Sequence, residues 1–342
     1  MSENSVKSSC RIAVDAMGGD FAPDNAVMGA VVAQQGDSAI EIYLLGIKEK
    51  ILEVLKKNSA SFPVDRIIDC PQVIEMEDIP TVALKAKPES SIVIGAKMVK
   101  NGKADAFVSA GNTGAMMAAS TLLIGRINGV GRPTIGAPMP SEKGFTLLLD
   151  VGASVDSKPQ HLLEYAILGT IYAKEIYGIS NPSIGILSVG SEDVKGNEMS
   201  LAAFKLLKDS GLNFYGNVEG KDILKGTVNI VICDGFVGNI LLKFAEGVLS
   251  LLKYKLKNYA EKSIIRKLKL LMFKSSLKGA LSDMDAESHG GVPLLGVNGI
   301  SIIGHGSSSV LAIKNMILRA KEMHHKEILR KFEESLERYG RK

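Results

Sequence analysis

Residues 106–123 read AFVSAGNTGAMMAASTLL, and this stretch decides the fold class. Its first four residues suit a strand buried on both faces, and residues 113–123 carry the apolar periodicity of a helix. A strand that passes into a helix through a short glycine-rich turn is the repeating unit of an α/β fold. We therefore expect this stretch to be one of several such units.

The turn at 109–115 predicts a cradle for a phosphate-sized anion. Backbone N–H groups and the positive end of the helix would converge there, with Ser109, Asn112 and Thr113 as side-chain donors. Gly111 and Gly114 would let an anion come close to the backbone. The turn matches neither a nucleotide P-loop nor a dinucleotide fingerprint. A tight strand-to-helix turn without a ligand is the alternative interpretation.

The same alternation extends along the chain. Apolar runs rich in Val, Ile and Leu predict further strands at 11–15, 41–45, 145–150, 183–189, 213–215, 228–233 and 300–303. Helical patterns lie between them at 26–35, 51–57, 90–100, 159–176, 200–208 and 237–252. We predict an α/β fold with a mostly parallel sheet flanked by helices, and a ligand beyond the carboxyl ends of the strands.

The composition excludes several classes of function. Aromatic residues make up 5% with no Trp, and the net charge is +4, so stacking on bases and nucleic-acid binding are not indicated. Cys10, Cys70 and Cys233 lack a CxxC spacing, so neither a disulfide framework nor a metal site is predicted. We find no signal-peptide core and no apolar stretch of about 18 residues, which predicts a cytoplasmic protein.

The chain divides by composition into three parts. We expect a disordered tail at 1–10 and a single α/β catalytic unit at 11–320, which includes a helical excursion at 244–288. A charged helix should follow at 321–342, with His324 and His325 on its surface.

Three more glycine-containing loops follow predicted strands. In the first, Asp15 and Asp20 bracket Gly18 and Gly19, and a carboxylate there could order a neighbouring loop. Alternatively, Asp20 or Asp24 simply starts the next helix.

The second and third of these loops could also meet an anion. In the second, Lys195 could neutralise an anion or lie in a solvated loop. In the third, Asp234, Gly235 and Asn239 join a strand to a helix, and Asn239 suits an oxyanion or a phosphate oxygen.

The last predicted strand leads into His305-Gly-Ser-Ser308. His305 and Ser307 could orient or protonate a substrate, although neighbouring positions do not establish a catalytic pair. Ser307 or Ser308 is expected to cap the next helix.

Residues 251–280 concentrate the positive charge. They carry nine Lys and Arg residues and one acid, Glu261, a net +8, so the rest of the chain carries −4. Cationic and apolar side chains alternate here with roughly helical spacing, as at Arg266, Lys267, Leu268, Leu271, Met272 and Phe273. A basic amphipathic helix predicts contact with a membrane surface. Docking of an acidic carrier protein and packing of a dimer are the alternatives.

These loops, in this order, resemble the acyl-acyl-carrier-protein:phosphate acyltransferases of bacterial phospholipid synthesis. The matching blocks are IAVDAMGGD (12–20), ADAFVSAGNTGA (104–115), LLDVGA (148–153), VGSEDVKGNE (189–198), GNVEG (216–220), VICDGFVGNILLK (231–243), GGVPLLG (290–296) and HGSS (305–308). This chain departs from the family's usual pattern at Lys85, Ser154 and His289, where the family often has Arg, Asn and Tyr.

The resemblance implies a fold like that of phosphate acetyltransferases and isocitrate-dehydrogenase-like enzymes, with a protruding amphipathic helical segment. It implies transfer of a long-chain acyl group from acyl carrier protein to inorganic phosphate by a homodimer, without a metal or redox cofactor. The acyl phosphate would feed a membrane glycerol-phosphate acyltransferase, so peripheral association with the inner face of the membrane is expected.

The expected chemistry needs no protein nucleophile. Phosphate is itself anionic, and a thiol with a pKa of about 8.5 is a good leaving group. We therefore assign phosphate to the cradle at 109–113 with Lys195, and the oxyanion to Asn239 and nearby amides. A phosphate acyltransferase that uses acyl-CoA and a non-catalytic, membrane-recruited scaffold of lipid synthesis are the alternatives.

Overall fold

The computed structural model of the protein describes residues 9–280 and 290–339. Within them, the strands are β1 Cys10–Asp15, β2 Ile40–Gly46, β3 Ile67–Asp69, β4 Ala106–Ser109, β5 Thr134–Ser141, β6 Gly144–Leu149, β7 Ile184–Leu187, β8 Phe214–Val218, β9 Ile230–Ile232, β10 Val292–Leu295 and β11 Ile300–Ile303.

The helices are α1 Asp24–Gly36, α2 Lys48–Lys57, α3 Pro80–Ala86, α4 Ser91–Lys100, α5 Thr113–Ala119, α6 Pro159–Tyr177, α7 Glu198–Asp209, α8 Gly220–Lys225, α9 Gly235–Glu261, α10 Ile264–Ala280, α11 Val310–His325 and α12 Ile328–Tyr339. A π turn, Ser120–Ile124, continues α5, and a 3-10 turn, Val64–Arg66, precedes β3.

All eleven described strands join in one sheet, in the order β3-β2-β1-β4-β11-β10-β5-β6-β9-β7-β8. Pairing is parallel from β3 to β11 and again from β6 to β8, while the three pairs made by β10 and β5 are antiparallel. The predicted α/β fold with a mostly parallel sheet is confirmed. The sheet therefore consists of two parallel halves joined by two central strands.

The two halves run in opposite directions because an even number of antiparallel strands separates them. Ser109 pairs with Ile303, and Ile303 pairs with Val292. Continuing the β10–β5 register by two residues brings Val292 level with Ala137, which pairs with Leu148. The carboxyl ends of β4 and β6 thus lie at nearly the same level, four strand spacings or about 19 Å apart, and their loops leave the sheet in opposite directions.

The hydrophobic core lies on both faces of this sheet. Along β1, Ile12 and Val14 pack into the cluster that contains α1, α6 and α11, while Ala13 packs into the cluster that contains α4 and α5. Strands buried on both faces must be apolar at every position, which explains why continuous Val, Ile and Leu runs predicted them correctly.

Strand β5 was missed because it contains Pro138 and Pro140. Its pairing with β10 is confined to Thr134 and Ile135, so the prolines lie where only β6 is paired with the strand. Proline cannot donate to a ladder, and it is tolerated where one side of the strand has no neighbour.

The last two helices differ from the predicted boundary at 320/321. Helix α11 crosses that boundary and ends at His325, and α12 follows after a two-residue break. His324 and His325 are half-buried, so the expectation that both lie on the surface was wrong. The tail at 1–8, residues 281–289 with His289, and residues 340–342 lie outside the described residues.

Helix α9 is longer and more apolar than the sequence analysis expected. By length and composition it could cross a membrane, with a mean hydropathy of 1.5 over an 18-residue window of which 11% is buried. The 18-residue window contains two charged residues, Lys243 and Glu246, so α9 has no uninterrupted apolar stretch of that length. The prediction that the chain has no uninterrupted apolar stretch of about 18 residues is consistent with this, although the whole helix meets the looser criterion of length and composition.

Candidate active site

The loops after β1, β4 and β11 meet at the carboxyl end of the first half-sheet. Ser109 Oγ donates to Asp15 Oδ2 at 2.7 Å and accepts from the amide of Gly111 at 3.0 Å. The amide of Gly304 donates to the Ser109 carbonyl at 2.8 Å. We call these three loops, together with the segment at 75–78 that Asn112 contacts, the first loop group.

Gly18 is needed where two of these loops touch. A Cβ on Gly18 would lie 2.5 Å from Asp15 Oδ2 and 2.6 Å from the Gly111 amide nitrogen. Such distances are far shorter than real Cβ contacts, so only glycine lets the two backbones approach. Gly19 lies beside the carbonyl of Gly306, to which the amide of Asp20 donates at 2.7 Å.

Asp15 is a buried organiser of the first loop group. Burial raises the pKa of its carboxyl, while hydrogen bonds from Ser91, Ser109 and the amides of Met17 and Gly18 oppose that rise. Its acceptor capacity is used by the loops themselves. Asp15 thus orders the neighbouring loop, as the sequence suggested, and together with Ser109 it holds the shape of the site.

Asn112 does two jobs at the start of α5, and both are structural. Its Oδ1 accepts from the Ala115 amide at 2.9 Å and caps the helix. Its Nδ2 lies 3.0, 3.1 and 3.0 Å from the carbonyls of Glu75, Met76 and Asp78. The side chain predicted as a phosphate donor thus holds a segment from elsewhere in the chain. No local sequence signal pointed to that segment.

Thr113 and Gly114 complete the first turn of α5. Thr113 is exposed, and a Cβ on Gly114 would lie 2.6 Å from Pro80, the first residue of α3. Amides in the first turn of a helix precede its first internal hydrogen bond and carry partial positive charge. Of the three side-chain donors predicted for the cradle, Ser109 and Asn112 are buried and Thr113 is exposed to solvent.

His305 and Ser307 contact each other, which their neighbouring positions in the sequence did not establish. His305 Nδ1 lies 2.8 Å from Ser307 Oγ, and the Ser307 amide donates to the same nitrogen at 3.2 Å. The predicted capping by Ser307 or Ser308 was wrong, because Ser309 Oγ accepts from the Ala312 amide and caps α11. The Ser307 hydroxyl is therefore not used as a helix cap, and it contacts the imidazole of His305.

The loops after β6 and β9 form the core of a second loop group. Asp150 is fully buried and accepts from the amides of Ile135, Ala153 and Ser154 at 3.0, 3.2 and 2.8 Å. Burial raises the pKa of its carboxyl, and these bonds oppose the rise. We missed Asp150 as a site residue; a carboxylate ending an otherwise all-leucine run was the available signal.

The first turn of α9 packs directly on the Asp150 loop. Asp234 Oδ1 accepts from the Val237 amide at 3.0 Å and caps the helix. A Cβ on Gly235 would lie 2.5 Å from Asp150 Oδ2. Asn239 is exposed, and its side chain lies against Gly152, where a Cβ would be 3.3 Å from Oδ1.

Lys195 lies in the loop after β7, which joins the second group. The loop is held by Asn217 Nδ2, which donates to the carbonyls of Glu192 and Lys195 at 2.7 and 3.2 Å. Asn217 is buried and was not predicted as a site residue, while the Lys195 side chain is exposed. A groove of about 490 Å³ between Ser157–Pro159 and the start of α7 borders this loop.

The predicted site residues therefore fall into two groups. The first loop group contains Asp15, Gly18, Gly19, Ser109, Gly111, Asn112, Thr113, Gly114, His305 and Ser307. The second loop group contains Lys195, Asp234, Gly235 and Asn239. Each bond described above lies within one group. The two groups lie at the carboxyl ends of strands in different halves of the sheet, because the central strands reverse the direction of the second half.

The three thiols are poor candidates for a nucleophile. Burial raises the pKa of Cys10 and of Cys70 to about 12, and that of Cys233 well above its usual value. Thiols in this state are inert at neutral pH.

One trio of metal-type donors occurs among the described residues. Donor atoms of Cys10, Asp105 and His324 lie within 4.8 Å of one another. Arg11 already binds both oxygens of Asp105, at 2.7 and 3.2 Å, and the Cys10 thiol is held neutral. We assign no metal to this trio.

The segment predicted to contact a membrane or carrier protein lies on α10. Leu268, Leu271, Met272 and Phe273 are 56, 54, 78 and 67% exposed. Lys267 is exposed as well, and the half-buried Arg266 lies with its guanidinium 4.8 Å from the ring centre of Tyr259.

Known proteins are similar to this chain in sequence and in fold. A family model described as "Fatty acid synthesis protein" matches residues 10–331. A phosphate acyltransferase from Pelotomaculum thermopropionicum is 47% identical over 327 residues, which cover 96% of this chain and 95% of that protein. The chain belongs to the phosphate acyltransferase family. A second member, from Halothermothrix orenii, is 45% identical and covers 96% of this chain and 99% of its own.

The fold of this acyltransferase also has solved counterparts. A phosphotransacetylase from Streptococcus pyogenes superposes with a TM-score of 0.62 at 19% identity, covering 92% of this chain and 94% of that one. One from Staphylococcus aureus gives 0.58 at 17% identity, with the same coverage. At such identities the likeness concerns the fold alone, and it confirms the phosphotransacetylase-like architecture that the sequence resemblance implied.

Proposed function

We propose that this phosphate acyltransferase takes a long-chain acyl group from the thioester of acyl carrier protein. An oxygen of inorganic phosphate attacks the thioester carbonyl, the carbon–sulfur bond breaks, and the carrier thiolate leaves and takes up a proton. The products are acyl phosphate and free carrier protein. The match to phosphate acyltransferases over nearly the whole chain supports this proposal.

The site geometry supports the first loop group as the phosphate cradle. Its backbone is drawn together at Gly18 and Gly111, and Asp15 and Ser109 hold it there by bonds of 2.7–3.0 Å. That arrangement leaves Thr113 exposed in the first turn of α5, where the partial positive charge of the helix start suits an oxyanion. This is the observation that carries the residue assignment.

The remaining roles follow from the chemistry of each group. His305 with Ser307 is placed to orient the phosphate or give a proton to the leaving thiolate. Lys195 and Asn239 are both exposed on the second loop group. In this proposal they contact the phosphate and the developing oxyanion after the two loop groups move together around the bound substrates. No cofactor is required by this scheme.

A phosphate-dependent thiol-release assay tests the activity and its donor. We expect release from acyl carrier protein thioesters at a higher kcat/KM than from acyl-CoA. Equal or better use of acyl-CoA would favour the coenzyme A alternative. Absence of release with either donor would contradict the proposal and favour the scaffold role.

Lys195→Ala tests the phosphate assignment in the same assay. A bond from a charged group contributes about 1.5–3 kcal/mol, so we expect the KM for phosphate to rise about 10- to 100-fold. Lys205→Ala, an exposed lysine on α7, is the matched control and should leave this KM unchanged. An unchanged KM in Lys195→Ala would show that Lys195 does not bind phosphate.

We further propose that α10 holds the enzyme at the inner face of the membrane, as a peripheral homodimer in the cytoplasm. The exposed apolar side chains of α10 and its cations match an anionic leaflet, where each cation contributes about 1 kcal/mol. Leu271→Glu/Phe273→Glu should abolish sedimentation with anionic vesicles.

Leu52→Glu/Val64→Glu, at exposed apolar positions elsewhere, is the control for that experiment. Unchanged sedimentation of the α10 variant would exclude membrane contact. A loss of carrier binding or of dimer formation in its place would favour the two alternatives for this segment.

A further inference from the structure

Five large apolar side chains are exposed around the first loop group. They are Phe21, Met76, Ile79, Val82 and Leu122, with 56, 45, 67, 58 and 66% of each exposed. We call them the apolar rim. None of them belongs to α9 or to α10, the helix that carries the surface assigned to the membrane.

Direct contacts tie most of the rim to the proposed phosphate cradle. Met76 is held through its carbonyl by Asn112 Nδ2 at 3.1 Å. Ile79 is the residue directly before α3, and Val82 lies three residues later on the same face of that helix. Helix α3 packs on α5, where Pro80 closes against Gly114. The segment that carries Met76, Ile79 and Val82 therefore packs against the turn that we propose as the phosphate cradle.

Phe21 and Leu122 extend the rim on other sides. Phe21 directly follows Asp20, whose amide is bonded to Gly306 within the first loop group. Leu122 lies on the π turn that continues α5 beyond the cradle. A polar centre is thus bordered by apolar side chains from three different segments.

We propose that the apolar rim holds the part of the acyl chain nearest the thioester carbonyl. This inference rests on the proposed function, because it takes the cradle as the phosphate site. Acyl phosphate has an anionic head and an apolar tail, and the first loop group presents a matching polar centre and apolar border. The rim would then favour long acyl chains over short ones.

The rim is too small to be the contact surface of a second copy. Its side chains are interrupted by exposed charged residues, among them Glu75, Glu77 and Lys85. A stable interface between proteins uses about 20–30 residues on each side. One flexible hydrocarbon chain is a better match for five side chains.

The test is the chain-length dependence of Ile79→Ser/Val82→Ser. Both side chains are exposed, so the double variant should fold like the wild type. The two serines would leave about two methylene groups of a long acyl chain in water, which lowers kcat/KM about 15-fold. We expect that decrease with a hexadecanoyl carrier thioester and less than a twofold change with a butanoyl thioester, in the phosphate-dependent thiol-release assay.

Leu52→Ser/Val64→Ser is the matched control, since both residues are exposed and apolar but lie on α2 and the 3-10 turn. It should leave both substrates unaffected. An unchanged ratio of hexadecanoyl to butanoyl activity in the rim variant overturns the inference while the proposed function stands. A parallel decrease with both substrates, together with a changed mass in light scattering, overturns it in favour of a second copy. A wild-type enzyme without phosphate-dependent release overturns both.

Discussion

Replacing Asn112 by Ala should lower the free energy of unfolding by about 2–4 kcal/mol. Loss of the cap bond to Ala115 costs about 1 kcal/mol. The Nδ2 group reaches the carbonyls of Glu75, Met76 and Asp78, and an amide can donate two hydrogen bonds at a time. Each such bond contributes about 0.5–1.5 kcal/mol, which gives the upper part of the range.

Urea unfolding followed by circular dichroism measures this loss, and hydrogen exchange locates it. We expect faster exchange in residues 75–86 because their anchor to α5 is gone. Asn197→Ala is the matched control: its Oδ1 caps α7 through the Ser200 amide at 2.8 Å, so its removal should cost about 1 kcal/mol. Asn112→Ser, which keeps a capping oxygen, should fall between the two.

Equal losses in Asn112→Ala and Asn197→Ala, with unchanged exchange at 75–86, would refute the anchoring role. In that case the cap alone would account for Asn112, and a direct contact with phosphate would return as its function. A rise in the KM for phosphate is expected in either case, so the exchange measurement and not the kinetics decides between them.

Three further perturbations test other parts of the structure. Gly238→Ala would place a Cβ 1.8 Å from the Asp150 carbonyl oxygen and should lower the free energy of unfolding in urea by at least about 3 kcal/mol. Gly247→Ala, which has open space in the same helix, should raise it by up to about 1 kcal/mol. Similar values for the two variants would contradict the packing of α9. Gly18→Ala should reduce thiol release more than 100-fold (about 3 kcal/mol) because the loops of the cradle would be forced apart, while Gly36→Ala, with no atom within 4 Å, should be as active as the wild type. The hydrogen bond from Lys321 lowers the pKa of Asp37. The stabilisation of the fold by this pair is therefore present above the ordinary pKa of 3.8 and is lost as the pH falls through the lowered pKa. Lys321→Met should be less stable than the wild type at neutral pH, and a difference in stability that persists in stronger acid would contradict the pairing.

Local junctions could be predicted from the sequence, whereas pairings distant in the chain could not. In residues 106–114 the strand, the cap residue Asn112 and the two glycines follow one another closely, so the conformation of the turn follows from local chemistry. The reversal of the second half-sheet depends on which strands pair with β5 and β10. No periodicity along one strand encodes its neighbours.

The individual roles of site residues were misjudged for a related reason. Asn112 was expected to face phosphate, but its amide meets carbonyls more than 30 residues away in the chain. Asp150 was overlooked because its partners, the amides of Ile135, Ala153 and Ser154, carry no side-chain signal. Polar side chains at strand ends mark a site, but the sequence does not say whether they bind the ligand or the neighbouring loop.

Helix α9 gives the molecule a lever. Its 27 residues span about 40 Å, and its buried residues, Gly235 and Gly238, lie in the first turn. The first turn of α9 packs tightly against the Asp150 loop and is therefore fixed in position. The second loop group lies at this end of the helix, and α10 follows its other end. A helix transmits rotation along its axis with little bending. If α10 contacts the membrane as proposed, that contact would also constrain the orientation of Asp234 and Asn239, because one continuous helix joins the two regions.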